Sequence, residues 1–302
     1  MSDVFSYLQG FKLQDEHFNQ EVEFLVPDFL PKKMITLYYA DGGIGKSWLA
    51  QALTNSLLTN KKAKMVTYID LDNPVSVLKD RNIYDLLIAK HANLNYIQRS
   101  TLSLAPFELI LKLEEMALCD IYSDCVFVVD SLRNVIDLQN DSKVMRIMDA
   151  FMAMREAGAT IVLLSHSNKD GKNYQGSNNL RNSLDCMYRL TKRPSSQYEI
   201  NFLLEAQKER AGIKDSAFCV KTTTLTLHDM DVAVASMNEY ELNFTEKAKS
   251  SLNIYERLNK TQLLEACGYA KDDKTARDTL DKFDGKLWVA KKSCNRYEYS
   301  LC

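Results

Sequence analysis

The seven cysteines (119, 125, 186, 219, 267, 294 and 302) include no CxxC pair, and no histidine pair lies near them. That excludes a structural zinc site or a disulfide framework as the organising device. Cys125, inside the run CVFVVD, is expected simply to pack in a buried strand. No apolar run approaches the ~18 residues needed to span a membrane, so no membrane partner is expected. The opening segment MSDVFSYLQGFKLQDEHF lacks both a basic start and a continuous apolar stretch, so it is no secretory signal and the expected compartment is the cytoplasm. Ten glycines and five prolines in 302 residues leave few obvious linkers, and no internal repeat or low-complexity segment stands out. The net charge of −2 offers no overall attraction to nucleic acid, although from Glu246 onward twelve Lys/Arg stand against nine Asp/Glu. This length suits one sizeable core plus a small module.

What is there is an alternation of apolar runs and helical patterns. MITLYYA (34–40) is β-prone, breaks at AspGlyGly and restarts as SWLAQALTNSLL with helical periodicity. MVTYID (65–70), CVFVVD (125–130) and ATIVLLSH (159–166) are further all-apolar strands, the last two separated by the helical stretch KVMRIMDAFMAMREAG. Such strands between helices imply a mainly parallel sheet covered on both faces. From Leu184 the segments DCMYRL, EINFLLEAQ, AFCVK and TLTLHDM follow without helices, which predicts an antiparallel finish to the sheet. The fold class is α/β, with domains expected at 1–245 and 246–302. In the second, EKAKSSLNIYERL, TQLLEACGY and KTARDTLDKF read as three short helices and LWVAKKSCNRYEYSL as a two-stranded wing, the pattern of a winged helix.

The run from Ala40 to Ser47, ADGGIGKS, lies between strand and helix and approximates the phosphate-loop consensus GxxxxGK[ST]. Its backbone N–H groups and the helix N-terminus favour anions. Ala40, Asp41, Gly42, Gly43, Ile44, Gly45, Lys46, Ser47 and Trp48 are the candidate nucleotide-binding residues. Lys46 would contact the outer phosphates and Ser47 a magnesium ion, while Ala40 replaces the first consensus glycine. CVFVVD ends in Asp130, placed to complete the magnesium site with Ser47. A water-orienting carboxylate is also required, and YIDLDNP offers Asp70 and Asp72 at a neighbouring strand end. Ser165 and His166 end the next strand, where a polar group can hydrogen-bond the γ-phosphate and report its loss. His17, His91 and His228 have no such context and are read as structural.

Together FLVPDFLPKKMITLYYADGGIGKS, YIDLDNP, VFVVDSLRN, LLSHSNKDG, GSNNLRNSLDCMYRL and EAQKERAGI resemble RecA-like ATPases of the RepA hexameric-helicase type, over most of residues 22–222. The resemblance implies ATP and Mg²⁺ as ligands, Lys46 and Ser47 as their contacts, Asp130 as acidic partner and His166 as γ-phosphate sensor. It puts Asp72 where the family usually has a catalytic glutamate, a shorter side chain for which Asp70 could compensate. It makes Lys208 and Arg210, alternating along a strand, a pair reaching into a neighbouring subunit's site, so a homo-oligomer, a hexamer by analogy, is expected. It also sets Lys169, Lys172 and Arg181 in a loop facing a central pore that would hold single-stranded DNA.

In the winged-helix reading Lys274, Thr275 and Arg277 lead a recognition helix. Lys291, Lys292, Asn295 and Arg296 form a hairpin tip against a duplex or a protein partner. Trp288, Tyr297 and Tyr299 are expected to pack the wing onto the helices. The function implied is a DNA-associated ATPase, a helicase or translocase in replication of a mobile element. The alternatives are a slow nucleotide-switched loader that separates no strands and a recombination mediator.

Overall fold

The computed structural model describes residues 2–18, 21–168, 173–293 and 296–302. The chain divides into two compact units, one of Met1–Gly42, Leu53–Arg189 and Ala206–Lys214, the other of Gly43–Ala52, Leu190–Glu205 and Asp215–Cys302. Among the described residues no helix is long and apolar enough to cross a membrane.

The first unit is built on strands β1 (Ile35–Ala40), β2 (Met65–Asp70), β3 (Leu94–Gln98), β4 (Cys125–Asp130), β5 (Thr160–His166) and the start of β6 (Cys186–Arg193). They lie in the order β6-β1-β5-β4-β2-β3, and every neighbouring pair is parallel. Two features depart from expectation. β3 is an additional edge strand, and β6 pairs parallel with β1, so the antiparallel part begins one strand later than DCMYRL suggested. Parallel neighbours need crossovers; the short helix Val75–Asp80 lies between β2 and β3, and helices α1 (Lys46–Thr59), α2 (Pro106–Glu115), α3 (Asp141–Glu156) and α4 (Asn178–Ser183) supply the other four.

α3 shows why the pattern works. Val144, Ile147, Met148, Phe151 and Met154 recur at three- and four-residue steps and are buried in one cluster with Phe127, Val129, Ile161 and Leu163. Each such side chain contributes about 1.5–3 kcal/mol on burial. The Asn140 side chain accepts from the Lys143 N–H at the start of the helix. At its end Gly158 adopts φ +97°, and a Cβ there would stand 2.8 Å from the Ser123 nitrogen. Only glycine fits this return towards β5.

The second unit contains β7 (Glu199–Lys208) as far as Glu205, followed by β8 (Ser216–Lys221) and β9 (Thr226–Asp229), three successive antiparallel strands. Then come α5 (Glu239–Tyr255), β10 (Leu258–Asn259), α6 (Lys260–Ala266), α7 (Lys274–Lys282), β11 (Trp288–Ser293) and β12 (Arg296–Leu301). β10, β12 and β11 form an antiparallel sheet in that order. Asn238, Asn259 and Asp273 cap the three helices, the first two as capping boxes with Glu241 and Gln262. Residue 245, the expected domain boundary, lies inside α5, and Phe244 is already buried among Leu252, Leu263, Leu280, Phe283, Trp288 and Tyr299. The Trp288 indole N–H donates to the buried Leu280 carbonyl at 2.9 Å. Trp288 and Tyr299 therefore pack as expected, but Tyr297 does not. It is exposed beside the hairpin turn, opposite Lys292.

Candidate functional site

Ala40, His166, Asp130 and Asp70 are the last residues of β1, β5, β4 and β2, four consecutive strands of the first unit. Register sets Ala40 beside His166 and Asp70 beside Asp130. Open parallel sheets bind ligands beyond this edge. Asp130 and Asp70 are both fully buried, and the Asn73 amide is a partner of both. Asp130 accepts from the Tyr68 hydroxyl at 3.0 Å and the Asn73 amide at 3.4 Å. Asp70 accepts from the Tyr96 hydroxyl at 2.7 Å, the Asn73 amide at 3.0 and 3.2 Å, and the backbone N–H groups of Asn73 and Asp72 at 2.9 and 3.2 Å. The two tyrosine rings stack at 4.9 Å. Burial, reinforced by the Asp130 charge, pushes the Tyr68 phenol well above its ordinary 10.0, so it stays a donor. Adjacent buried carboxylates are costly without compensation, and hard oxygen donors of this kind suit magnesium. The Asp130 carboxylate, at the end of β4, is a donor of that kind, and Ser47, in the first turn of α1, is the hydroxyl of the phosphate loop.

Asp70, expected as a possible substitute for Asp72, is instead buried and hydrogen-bonded to the turn that follows it. Asp72 is the outward carboxylate. It accepts from the Asn134 amide at 3.1 Å and lies 3.6 Å from the Arg133 guanidinium, both residues just past the end of β4. His166 is half-buried, and Ser165 before it is fully buried.

In the phosphate loop Ala40 is still strand and buried, Asp41–Gly43 are exposed, and Ile44 is half-buried. Lys46 is buried at the start of α1, where Ser47 and Trp48 follow half-buried. The left-handed positions are Gly43 (φ +77°) and Gly45 (φ +108°). The missing first consensus glycine therefore costs no backbone freedom, because Ala40 occupies an extended position. At Gly45 the positive φ favours glycine, and a Cβ there would come 3.1 Å from the Phe202 ring, which would have to shift slightly. Ser167 donates its N–H to the Ala40 carbonyl at 3.0 Å and its hydroxyl to the Asp41 carboxylate. The loop beyond folds back through a Ser167–Tyr174 bridge and a Gln175 N–H bond to the His166 carbonyl at 2.8 Å. Lys169 and Lys172, expected in this loop, lie outside the described residues. Arg181, exposed in α4, donates to the Gln207 carbonyl at 3.2 Å.

Lys208 and Arg210 do not alternate on a strand, because β7 stops at Lys208. They nonetheless converge. Lys208 donates to the Arg181 and Asn182 carbonyls at 2.5 and 3.2 Å, and Arg210 reaches the same Asn182 carbonyl at 3.5 Å. Burial, aided by the Arg210 charge, holds the Lys208 pKa below its ordinary 10.5. Arg210 also pairs with Asp185 at 3.4 Å, a buried carboxylate already held by Arg155 at 3.0 Å and by the Ile35 N–H at 2.9 Å. Arg210 is thus the outermost and most weakly held member of this group.

In the C-terminal module Lys274, Thr275 and Arg277 are exposed on α7, and Arg277 donates to the Lys271 carbonyl at 3.1 Å. Lys291 and Lys292 are exposed on β11; Asn295 and the side chain of Arg296 lie outside the described residues. His91 contacts Asn55 at 2.8 Å and His228 contacts Thr226 at 3.1 Å; the side chain of His17 is not among those described. The site residue that sequence reasoning missed is Asn73. A polar residue before Pro74 reads as an ordinary turn, and only folding brings it to Asp130.

A mostly parallel α/β sheet with a glycine-bearing phosphate loop after β1 and a buried aspartate ending β4 defines a P-loop nucleotide-binding protein. The chain belongs to the AAA domain family, whose model matches residues 11–172. The crystal structure of the flagellar accessory protein FlaH from Methanocaldococcus jannaschii is similar at 15% identity and a TM-score of 0.46, over 67% of this chain and 91% of that one. No curated protein matches the chain.

Proposed function

We propose that this protein hydrolyses ATP on DNA as a RepA-like ring ATPase, a helicase or translocase serving replication of a mobile element. The observation that carries the reading is the division of labour among the carboxylates: Asp130 is buried and fixed, while Asp72 is outward and reachable. Lys46 and the loop amides bind the phosphates. Bound magnesium supplies charge neutralisation at the phosphate oxygens, and Asp130 and Ser47 are the residues to hold it. Asp72 orients the attacking water and takes its proton, while His166 hydrogen-bonds the γ-phosphate. The hydrogen bonds from Ser167 to Ala40 and Asp41 tie the loop after the sensor strand to the phosphate loop, a route from hydrolysis to DNA held by that loop.

Arg210 and Lys208 serve the site of a neighbouring copy in a hexamer. Residues from α5 onward form a winged helix, with the ATPase domain preceding it. Its α7 carries Lys274, Arg277 and Lys282 among Asp278 and Asp281, and Lys282 is paired with Glu241 at 2.6 Å. That mixed charge supports contact with a protein partner at least as well as contact with duplex DNA.

A second reading is a nucleotide-switched loader that separates no strands. It is favoured by the contacts of Asp72 with Arg133 and Asn134, which occupy part of its acceptor capacity. The discriminating experiment measures ATP turnover with and without single-stranded DNA, then unwinding of a forked duplex. Turnover stimulated by DNA together with unwinding supports the motor, and stimulation without unwinding supports the loader. Lys46→Ala is expected to abolish nucleotide binding, and a variant that hydrolyses normally would defeat both.

A further inference from the structure

Asn73 uses every polar group it has. Its backbone N–H donates to Asp70 at 2.9 Å and its backbone carbonyl accepts from the Gln98 amide at 3.0 Å. Its side-chain nitrogen donates to both oxygens of Asp70, at 3.0 and 3.2 Å, and to Asp130 Oδ2 at 3.4 Å. Its side-chain oxygen accepts from an Arg81 guanidinium nitrogen at 3.4 Å. These partners fix the orientation of the amide, since a flipped one would turn its oxygen onto two carboxylates and its nitrogen onto a cation.

The consequence is geometric. Asp130 sits at the end of a strand with its Oδ2 held from one side by Tyr68, and Asn73 is the second donor to that same oxygen. The same residue closes the Asp70–Asn73 turn from which Asp72 projects. An aspartate or an apolar residue at 73 would lose the donor between two buried carboxylates and leave them facing each other. We propose that Asn73 is a positioning residue of the nucleotide site. It clamps Asp130 against Asp70 so that Asp130 presents a fixed oxygen towards the magnesium of bound nucleotide, and it sets the turn carrying Asp72. This deepens the ATPase reading and rests on the assignment of Asp130.

Because the clamp acts through Asp130, it is tested by the magnesium dependence of binding. A fluorescent non-hydrolysable ATP analogue is titrated into the full chain at a series of magnesium concentrations and in excess chelator, for Asn73→Ala, Tyr68→Phe, Asp130→Asn and the unmodified protein. Tyr68→Phe removes the other donor to Oδ2 without touching the turn, so the outcome survives if Asn73→Ala folds poorly. Both substitutions are expected to raise the magnesium concentration at half-saturation by roughly tenfold, the usual cost of removing an outer-shell partner, while binding in chelator stays as in the unmodified protein. A purely structural role predicts equal losses with and without magnesium, and that result overturns the proposal, as does an unchanged magnesium requirement. If Asp130→Asn alone raises the requirement, Asp130 keeps its role and the clamp is refuted. If Asp130→Asn leaves the requirement unchanged, the assignment of Asp130 itself falls and the clamp with it.

Discussion

Asp70 and Asp72 are two positions apart in one turn, yet their surroundings give them opposite capacities. Asp70 receives four donor groups from the Asp72–Asn73 segment and Tyr96 and is fully buried, whereas the Asp72 carboxylate is exposed and meets Asn134 and Arg133 beyond β4. A group that must receive a proton from water needs access to it, and Asp72 alone of the two has that access. Asp72→Asn is expected to cut the ATP turnover rate by about 100- to 10,000-fold, the range for losing a positioned base, with nucleotide affinity unchanged. Steady-state turnover alongside analogue binding checks this, and normal turnover would place the base elsewhere. At this scale the positions of Lys46, opening α1, and Asp130, ending β4, were legible because each ends or follows a local pattern, an apolar strand or a glycine-bearing loop. Asn73 was not, because its hydrogen bonds join residues 57 and 25 positions away.

Among the elements, the all-apolar strands could be read directly: MVTYID and CVFVVD are β2 and β4 to the residue. β3 escaped because LNYIQ is a short edge strand with a single buried residue and no clear alternation. Strand direction escaped too, since no side-chain pattern distinguishes a parallel β6 from an antiparallel one. The reach of β7 was overestimated because KER alternates in sequence while the backbone leaves the strand after Lys208. The joint between α3 and β5 depends on one residue. Gly158→Ala forces a Cβ against the Ser123 backbone at a positive φ, so a loss of about 2 kcal/mol or more is expected. Urea denaturation measures it, and an unchanged midpoint would show that the turn relaxes freely.

For the whole molecule, the weak hold on Arg210 is the feature that bears on assembly. Arg155 and the Ile35 N–H already satisfy Asp185, so Arg210 can leave without orphaning a buried charge. If it acts in a neighbour's site, mixing Arg210→Ala with Lys46→Ala subunits restores part of the ATPase activity that each lacks alone. No recovery in mixtures that co-assemble on a sizing column would leave Arg210 as surface charge. The sheet order carries a consequence for how this protein comes into being. β1, which leads into the phosphate loop, is made before its partners, Ile161–His166 and Cys186–Arg189. A nascent chain must therefore emerge for some 120 residues with an apolar strand bare on both edges, the arrangement most open to pairing with other chains. The strand that anchors nucleotide binding is thus the last of the first four to find its neighbours, and the ribosome has to pass β6 before the site can close.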